Sequence, residues 1–459
     1  MSSAAMPAQG NKMGYAPVLK LIITMSLPSM FSMLVQALYN IVDSYFVAQI
    51  NENALTAVSL AFPVQMLMAS VGVGTSVGLN SFISRKLGEK RQDLADSAAT
   101  HGIVLAFFSW VLFAIVGFLG SGFFFNSFTD VKEIADMGTS YIMICCCCSL
   151  GMFIQINVEK ILQATGDMIY PMIIQLVGAI TNIILDPIFI FGWLGLPAMG
   201  VAGAAVATVL GQVVGMIVSF LVIKFKDHSV SISFKGFRMK WEVVKNIYAV
   251  GLPSIIMQSI GSVMNVIMNA ILISFTETAV AVFGVYFKLQ SFIFMPVFGL
   301  THGVMPIMGF NYGARNKARM LSAYKYGSII ALIIMAVGTI VFWAVPDLLL
   351  GIFNASETML EIGRPALRLI SLCFMPAALG IIASTMFQAV GKGGYSLLIS
   401  ILRQLAILVP AAYLLSLTGV VQNVWFSFPI AEVFSLIASA FLVVRLYKTK
   451  IKQLDEPLP

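Results

Sequence analysis

The chain is a succession of apolar stretches, each about as long as a helix that crosses a bilayer, and this pattern constrains the fold more than any motif does. A hydrocarbon core of about 30 Å takes about 20 residues of helix. Helices are read near 18–48, 54–80, 97–125, 138–164, 168–193 and 199–223, then near 247–274, 279–308, 321–345, 366–390, 395–417 and 424–446. Composition agrees: 59% of the 459 residues are hydrophobic and 10% charged, against about 25% charged in a soluble domain. Gly (37) and Pro (17) are frequent, as expected where helices pack closely and kink.

The net charge of +7 sets orientation and does not point to nucleic acid, because Lys and Arg lie between the apolar stretches and form no single patch. Arg85, Lys86, Lys90 and Arg91 follow the second span; Lys224, Lys226, Lys235, Arg238, Lys240 and Lys245 follow the sixth; Arg315, Lys317, Arg319 and Lys325 follow the eighth. Loops on the other side, such as Asn51 to Asn53 and Gly192 to Met199, carry almost none. Positively charged loops stay inside, so both termini are expected to be cytoplasmic in a multi-pass plasma-membrane protein. Residues 1–17 and 447–459 read as cytoplasmic tails, 18–223 and 247–446 as two lobes, and 224–246 as the linker between them.

The sequence repeats itself at a constant offset of 225 residues. Leu27-Pro28-Ser29 matches Leu252-Pro253-Ser254, Asn40 matches Asn265, and Gln65 matches Gln290. Gly74, Gly78 and Gly88 match Gly299, Gly303 and Gly313; Cys148 matches Cys373; Gln163-Ala164 matches Gln388-Ala389. An offset of six spans, an even number, gives the halves one orientation in the membrane. The expected architecture is an all-α integral membrane protein of twelve helices in two parallel-repeat lobes, with a substrate path between lobes that rock.

An ionisable side chain at mid-membrane costs about 3 kcal/mol by insertion scales, so each needs a reason. Asp43 lies in the first span with Tyr39 and Asn40 four and three residues before it, on one helix face. The fifth span carries Asn182 and Asp186 one turn apart, followed by Pro187. Two carboxylates with amide and hydroxyl neighbours suit a proton or a sodium ion, and these residues leave both ions open. The second-half equivalents of Asp43, Asn182 and Asp186 are Met268, Ile407 and Ala411, so the ion site is expected in the first lobe alone. Elsewhere, Glu159 reads as an ion pair with Lys160, Arg364 and Arg403 as snorkelling side chains, and His302 as a packing residue. Lys288 reads as either a partner of Glu432 or a cavity residue. Gln36, Asn40, Asn157, Gln258, Asn265 and Lys288 are the candidates for the substrate cavity. Cys145 to Cys148 and Cys373 fit neither disulfide nor zinc spacing and read as small packing residues.

Leu27-Pro28-Ser29, Tyr39 to Asp43, Gly74 to Gly88 with its basic loop, Leu162 to Asp167, Asn182 to Pro187 and Gly200 to Thr208 together resemble the multidrug and toxic compound extrusion (MATE) family, in its DinF-like, MepA-like branch. The resemblance covers nearly the whole chain. It implies a V-shaped pair of lobes and export of small organic cations and drugs, in exchange for H+ or Na+, by a monomer among membrane lipids that needs no cofactor. It implies that Asp43, Asn182, Asp186 and Thr208 form the cation-coupling network, and the metal ligands if the ion is sodium. It places Pro28, Tyr39 and Tyr141 beside that network; because Pro28 shares a helix with Asp43, it is further expected to be the hinge at which the first helix bends when the acids bind their cation. Thr208 enters through the resemblance, since spacing does not single it out.

A lipid-linked precursor flippase of the same superfamily is the alternative; twelve spans and buried acids argue against it. The loop Ser84 to Arg91 lacks the Asp-Arg motif of major-facilitator carriers, no P-loop is present, and three scattered His offer no catalytic constellation. An enzyme is not expected.

Overall fold

A computed structural model describes residues 10–226 and 229–455. The parts of the expected tails and linker at 1–9, 227–228 and 456–459 lie outside the described residues. The first lobe contains α1 (Val18–Ala48), α2 (Glu52–Gly88), α3 (Gln92–Phe128), α4 (Lys132–Cys147), α5 (Leu150–Ala164), α6 (Ile169–Phe191) and α7 (Gly200–Phe225). The second contains α8 (Trp241–Ile273), α9 (Glu277–Gly313), α10 (Lys317–Ala344), the short α11 (Pro346–Gly351), α12 (Glu357–Ser371), α13 (Phe374–Ala389), α14 (Gly393–Ile401), α15 (Val409–Ser416), the short α16 (Val421–Val424) and α17 (Ser427–Leu446). Among the described residues there is no strand.

Among the described residues, ten helical runs are long and apolar enough to cross a membrane, and two bent pairs, α4–α5 and α12–α13, bring the number to 12 when each counts as one span. The straight helices expected over 138–164 and 366–390 are therefore corrected to broken ones, each bent by 46°. The cause is local. Trp110 Nε1 donates to the Cys147 carbonyl (2.7 Å) and the Ser149 hydroxyl to that of Cys146 (2.8 Å). In the second lobe, Trp343 Nε1 (3.1 Å) and the Ser371 hydroxyl (3.0 Å) both donate to the Arg368 carbonyl. Side chains thus satisfy carbonyls at the break where water is absent. The breaks fall beside Cys148 and Cys373, a pair related by the sequence repeat. A further irregularity has no counterpart in the first lobe: between α14 and α15, residues Leu402–Leu408 widen into a π-helical turn.

The molecule is apolar on the outside. Phe118, Leu119 and Phe123 of α3 are exposed, whereas its buried residues include Ala98, Ala99, Gly102, Ala106, Gly117 and Ser121. Large apolar groups outside and small ones at helix contacts are the pattern of a membrane bundle.

The repeated glycines bring the lobes together. A Cβ on Gly74 would lie 2.7 Å from Ile255 N, and one on Gly299 would lie 2.6 Å from Met30 N. Gly78 meets the backbone of Ile247 and Gly251, Gly303 meets Ser26, Gly88 meets Phe310 and Gly313 meets Arg85. Met30 and Ile255, Ser26 and Gly251, and Arg85 and Phe310 are each 225 residues apart, so α2–α8 and α9–α1 are two copies of one close contact. Bonds from Ser26 to the Leu300 carbonyl (3.3 Å) and Thr75 to the Tyr248 hydroxyl (3.5 Å) lie in the same halves of these helices.

This end also holds both described chain ends. Met13 is fully buried in a short 3-10 turn, Lys12–Gly14. Its carbonyl accepts from Asn311 Nδ2 (2.9 Å) and Arg319 (3.0 Å) of the second lobe, while Asn11 Nδ2 donates to the Thr165 carbonyl (2.9 Å) of the first. Gln453 accepts from Arg315 (2.8 Å). Residues 10–17 are thus a strap across both lobes. At the opposite end Leu38, Ile41 and Tyr45 of α1 and Val263 and Val266 of α8 are exposed.

Candidate functional site

The first-lobe site is assembled by α1, α6 and α7. Asn182 and Asp186 occupy successive turns of α6, and Pro187 within that helix leaves the Ile183 carbonyl without its usual donor. The Gly-rich start of α7 lets its backbone lie against α6: a Cβ on Gly211 would sit 2.8 Å from the Gly178 carbonyl oxygen and 3.0 Å from Asn182 Cβ. That approach places Thr208 beside Asn182, whose Nδ2 donates to Thr208 Oγ1 (3.2 Å) and at longer range to Asp186 Oδ1 (3.5 Å). From α1, the Tyr39 hydroxyl lies near Thr208, and the Asp43 carboxyl lies beside that of Asp186. Tyr141 of α4 is buried nearby and accepts from Gln65 Nε2 (3.0 Å). Asp186 is fully buried, Asn182 and Thr208 are buried and Asp43 is half-buried.

Three oxygens in this cluster, Asp43 Oδ1, Asn182 Oδ1 and Asp186 Oδ2, are buried without a hydrogen-bond donor. Ionised carboxylates only accept, so a bond between two carboxyl groups requires a proton on one of them. Carboxylate, amide and hydroxyl oxygens are the types of donor that sodium takes, so the residue types suit either cation. An unpartnered buried carboxylate is costly, and a small cation removes that cost.

The second lobe holds a cavity of about 450 Å³ between α8, α9, α13, the π-helical turn and α17. Asn265 lies on its wall; Gln258, half-buried on α8, does not. Lys288 is off this wall as well: its exposed side chain lies over the Phe353 ring, 5.8 Å from the centroid. Glu432 pairs instead with Arg403, at 3.7 Å, which corrects the expectation that Arg403 snorkels, and neither alternative read for Lys288, partner of Glu432 or residue of this cavity, is what the structure has. Gln36 is exposed on α1 and accepts from Gln175 Nε2 (2.9 Å), and Asn40 is exposed one turn further on. Asn157 is buried inside the first lobe, where it donates to the Phe153 carbonyl (2.8 Å). Glu159 accepts from Gln155 (2.9 Å) and Lys160 donates to Gln163 (2.8 Å), so the expected Glu159–Lys160 pair is replaced by two bonds along one helix. Pro28 lies within α1, which continues unbroken across it. Gln65 and Gln175 were not read as site residues; Gln65 carried a signal as the repeat partner of Gln290, and Gln175 carried none.

Residues 28–188 and again 253–414 match the family model MatE, each match starting at one of the repeated prolines. The multidrug export protein MepA of Staphylococcus aureus (strain N315) is 27% identical over 452 residues, 95% of each chain. A protein of Shewanella oneidensis named FAD transporter is 26% identical over 445 residues, 94% of this chain and 95% of its own. Among solved structures, the outward-facing conformation of a multidrug resistance MATE family transporter of the MOP superfamily superposes with a TM-score of 0.91 at 28% identity, covering 99% of this chain and 100% of that one.

Proposed function

Because the chain belongs to the MatE family, we propose that it is a secondary active multidrug transporter that exports cationic or amphipathic organic compounds in antiport with protons or sodium ions. The observation that carries this reading is the pairing of Asp43 with Asp186 in one lobe of a two-lobed bundle, with three buried oxygens that lack donors. Symmetric lobes with one asymmetric acid pair are the arrangement a coupled carrier needs: the fold rocks, and only one half responds to the ion.

The mechanism follows from the geometry. The lobes are closed at the end that holds the termini, which the basic loops assign to the cytoplasm, so the cleft faces outward. A proton or sodium ion entering from outside neutralises the Asp43–Asp186 pair. Asp43 rides on α1, whereas Asn182, Asp186 and Thr208 are fixed on packed α6 and α7; binding therefore pulls on α1 and nothing stiffer. Pro28 supplies the compliance. It has no N–H, so the Thr24 carbonyl lacks its helical donor, and the Thr24 hydroxyl is turned back to the Lys20 carbonyl (2.9 Å). Movement of α1 reshapes the first-lobe face of the cleft and expels the drug. The carrier works as a monomer in the plasma membrane.

Ethidium efflux from energised cells tests this, with wild type and Asp43→Asn compared under a protonophore and in sodium-free medium. Efflux that requires Asp43 and collapses with one of the two gradients is expected. Full efflux by Asp43→Asn, or none above the vector control in wild type, overturns the reading.

A further inference from the structure

At the closed end the boundary between the lobes does not follow the chain. Leu21, Ile22 and Met25, in the half of α1 that precedes Pro28, pack in the second lobe's core, whereas Val47, near the other end of α1, packs in the first lobe's. The segment that leads into α1 is seated in the same way. Met13 is fully buried in the second-lobe core, and a terminal nitrogen of Arg319 donates to its carbonyl (3.0 Å) and to that of Ala16 (2.7 Å). Asn311, itself fully buried, donates to the Met13 carbonyl and accepts from Arg319 Nε (3.3 Å). Two contacts reach the first lobe. Asn11 Nδ2 donates to the Thr165 carbonyl, and Lys12 lies against Gly166, where φ is +93° and a Cβ would be 3.2 Å from Lys12 Cε. The repeat does not build this arrangement twice: the equivalents of Met13, Asn311 and Arg319 are Arg238, Lys86 and Leu94. The segment that leads into α8 bonds to α3 of the first lobe instead, from Ser231 N to Asp96 and from Lys240 N to His101 (2.8 Å each).

We propose that residues 10–17 are a latch that keeps the cytoplasmic end shut, and that Arg319 is the positioning residue that seats it. Arginine suits the place because its planar fork reaches two carbonyls and an amide oxygen at once, which the point charge of a lysine does not. The two ends of the latch are unequal. A buried methionine and three hydrogen bonds hold it to the second lobe, against the bond of Asn11 on the first. When the lobes part at this end, the latch opens at Asn11 and Thr165 and travels with the second lobe and the adjoining half of α1. The half of α1 that carries Asp43 lies beyond Pro28, so one helix is anchored at one end by Arg319 and at the other beside the first-lobe acids. The strength of the latch then sets the balance between outward- and inward-facing states, and weakening it favours the inward-facing one. The inference deepens the efflux reading and rests on it for there being an inward-facing state to reach.

The test uses the full-length protein in lipid nanodiscs and reads backbone hydrogen–deuterium exchange at both ends of α2 and α9. Asn11→Ala and Arg319→Gln are each expected to speed exchange at the cytoplasmic ends, near Gly88 and Gly313, about fivefold, the effect of one net hydrogen bond on the opening equilibrium. The opposite ends, near Glu52 and Glu277, are expected to exchange no faster than in wild type. Arg319→Lys keeps the charge without the fork and is expected to fall between wild type and Arg319→Gln. Asn11→Ala trims one side chain at the rim of the molecule, so it carries the test if Arg319→Gln fails to fold. Cytoplasmic ends that exchange as in wild type overturn the inference. So does exchange that rises equally at both ends, which is the mark of loosened packing and not of a latch. Ethidium efflux measured on the same proteins keeps the two readings apart: efflux by wild type with unaltered exchange in the variants refutes the latch alone, whereas the expected exchange without efflux by wild type refutes the transport reading alone.

Discussion

At the residue scale, membrane burial makes acids conspicuous. Asp43, Asn182 and Asp186 stand out because polar groups in an apolar span need a compensating role, and the structure brings them together across α1 and α6. Thr208 gives no such signal. A hydroxyl is cheap in a helix, where it can bond its own backbone, and only the close approach of α7 to α6 at Gly211 reveals its partner. Thr208→Val keeps the shape and removes the hydroxyl, which leaves Asn182 Nδ2 with its long bond to Asp186. A loss of about 1–2 kcal/mol is expected at the network, read as an approximately tenfold shift in the ion concentration for half-maximal efflux with normal expression. No shift would mean that Thr208 takes no part. The pairing of Arg403 with Glu432 is illegible in sequence for a different reason: the two residues lie on separate helical segments 29 positions apart, and no local spacing brings them together.

At the element scale, hydropathy reveals where the spans lie but not where they bend. At each of the two 46° breaks a tryptophan from a neighbouring helix and a serine near the bend bond to backbone carbonyls, contacts that have no periodic signature. The repeated glycines are the opposite case. Their shared register was readable, and the structure supplies its physical reason: each is a place where one lobe's backbone meets the other's. Gly78→Ala and Gly303→Ala each force a methyl into that contact, against Ile247 and Ser26 respectively. Each is expected to cost about 1–3 kcal/mol by overpacking, measured as a lower thermal unfolding midpoint in detergent, and the two effects are expected to be alike because the contacts are related by the repeat. A large effect at one and none at the other would contradict an interface built twice.

At the scale of the whole molecule, two lobes related by one sequence repeat enclose different chemistry. The first holds paired acids, and the second, whose equivalent positions are Met268, Ile407 and Ala411, holds a cavity around a salt bridge. Duplication explains the matched contacts at the closed end; on the proposed reading, divergence lets one lobe take the ion while the other is free to take the substrate. The strap at residues 10–17, which ties both lobes at the closed end, looks like part of a plain tail in sequence because so short a polar segment carries no period. The most direct measurement is accumulation of ethidium by proteoliposomes of the purified protein under an imposed proton or sodium gradient, with wild type and Asp43→Asn side by side. Accumulation by wild type that follows one gradient, vanishes when that gradient is collapsed and is absent in Asp43→Asn is the expected result. Accumulation that is indifferent to both gradients, or equal in the two proteins, would contradict coupling at the first-lobe acids.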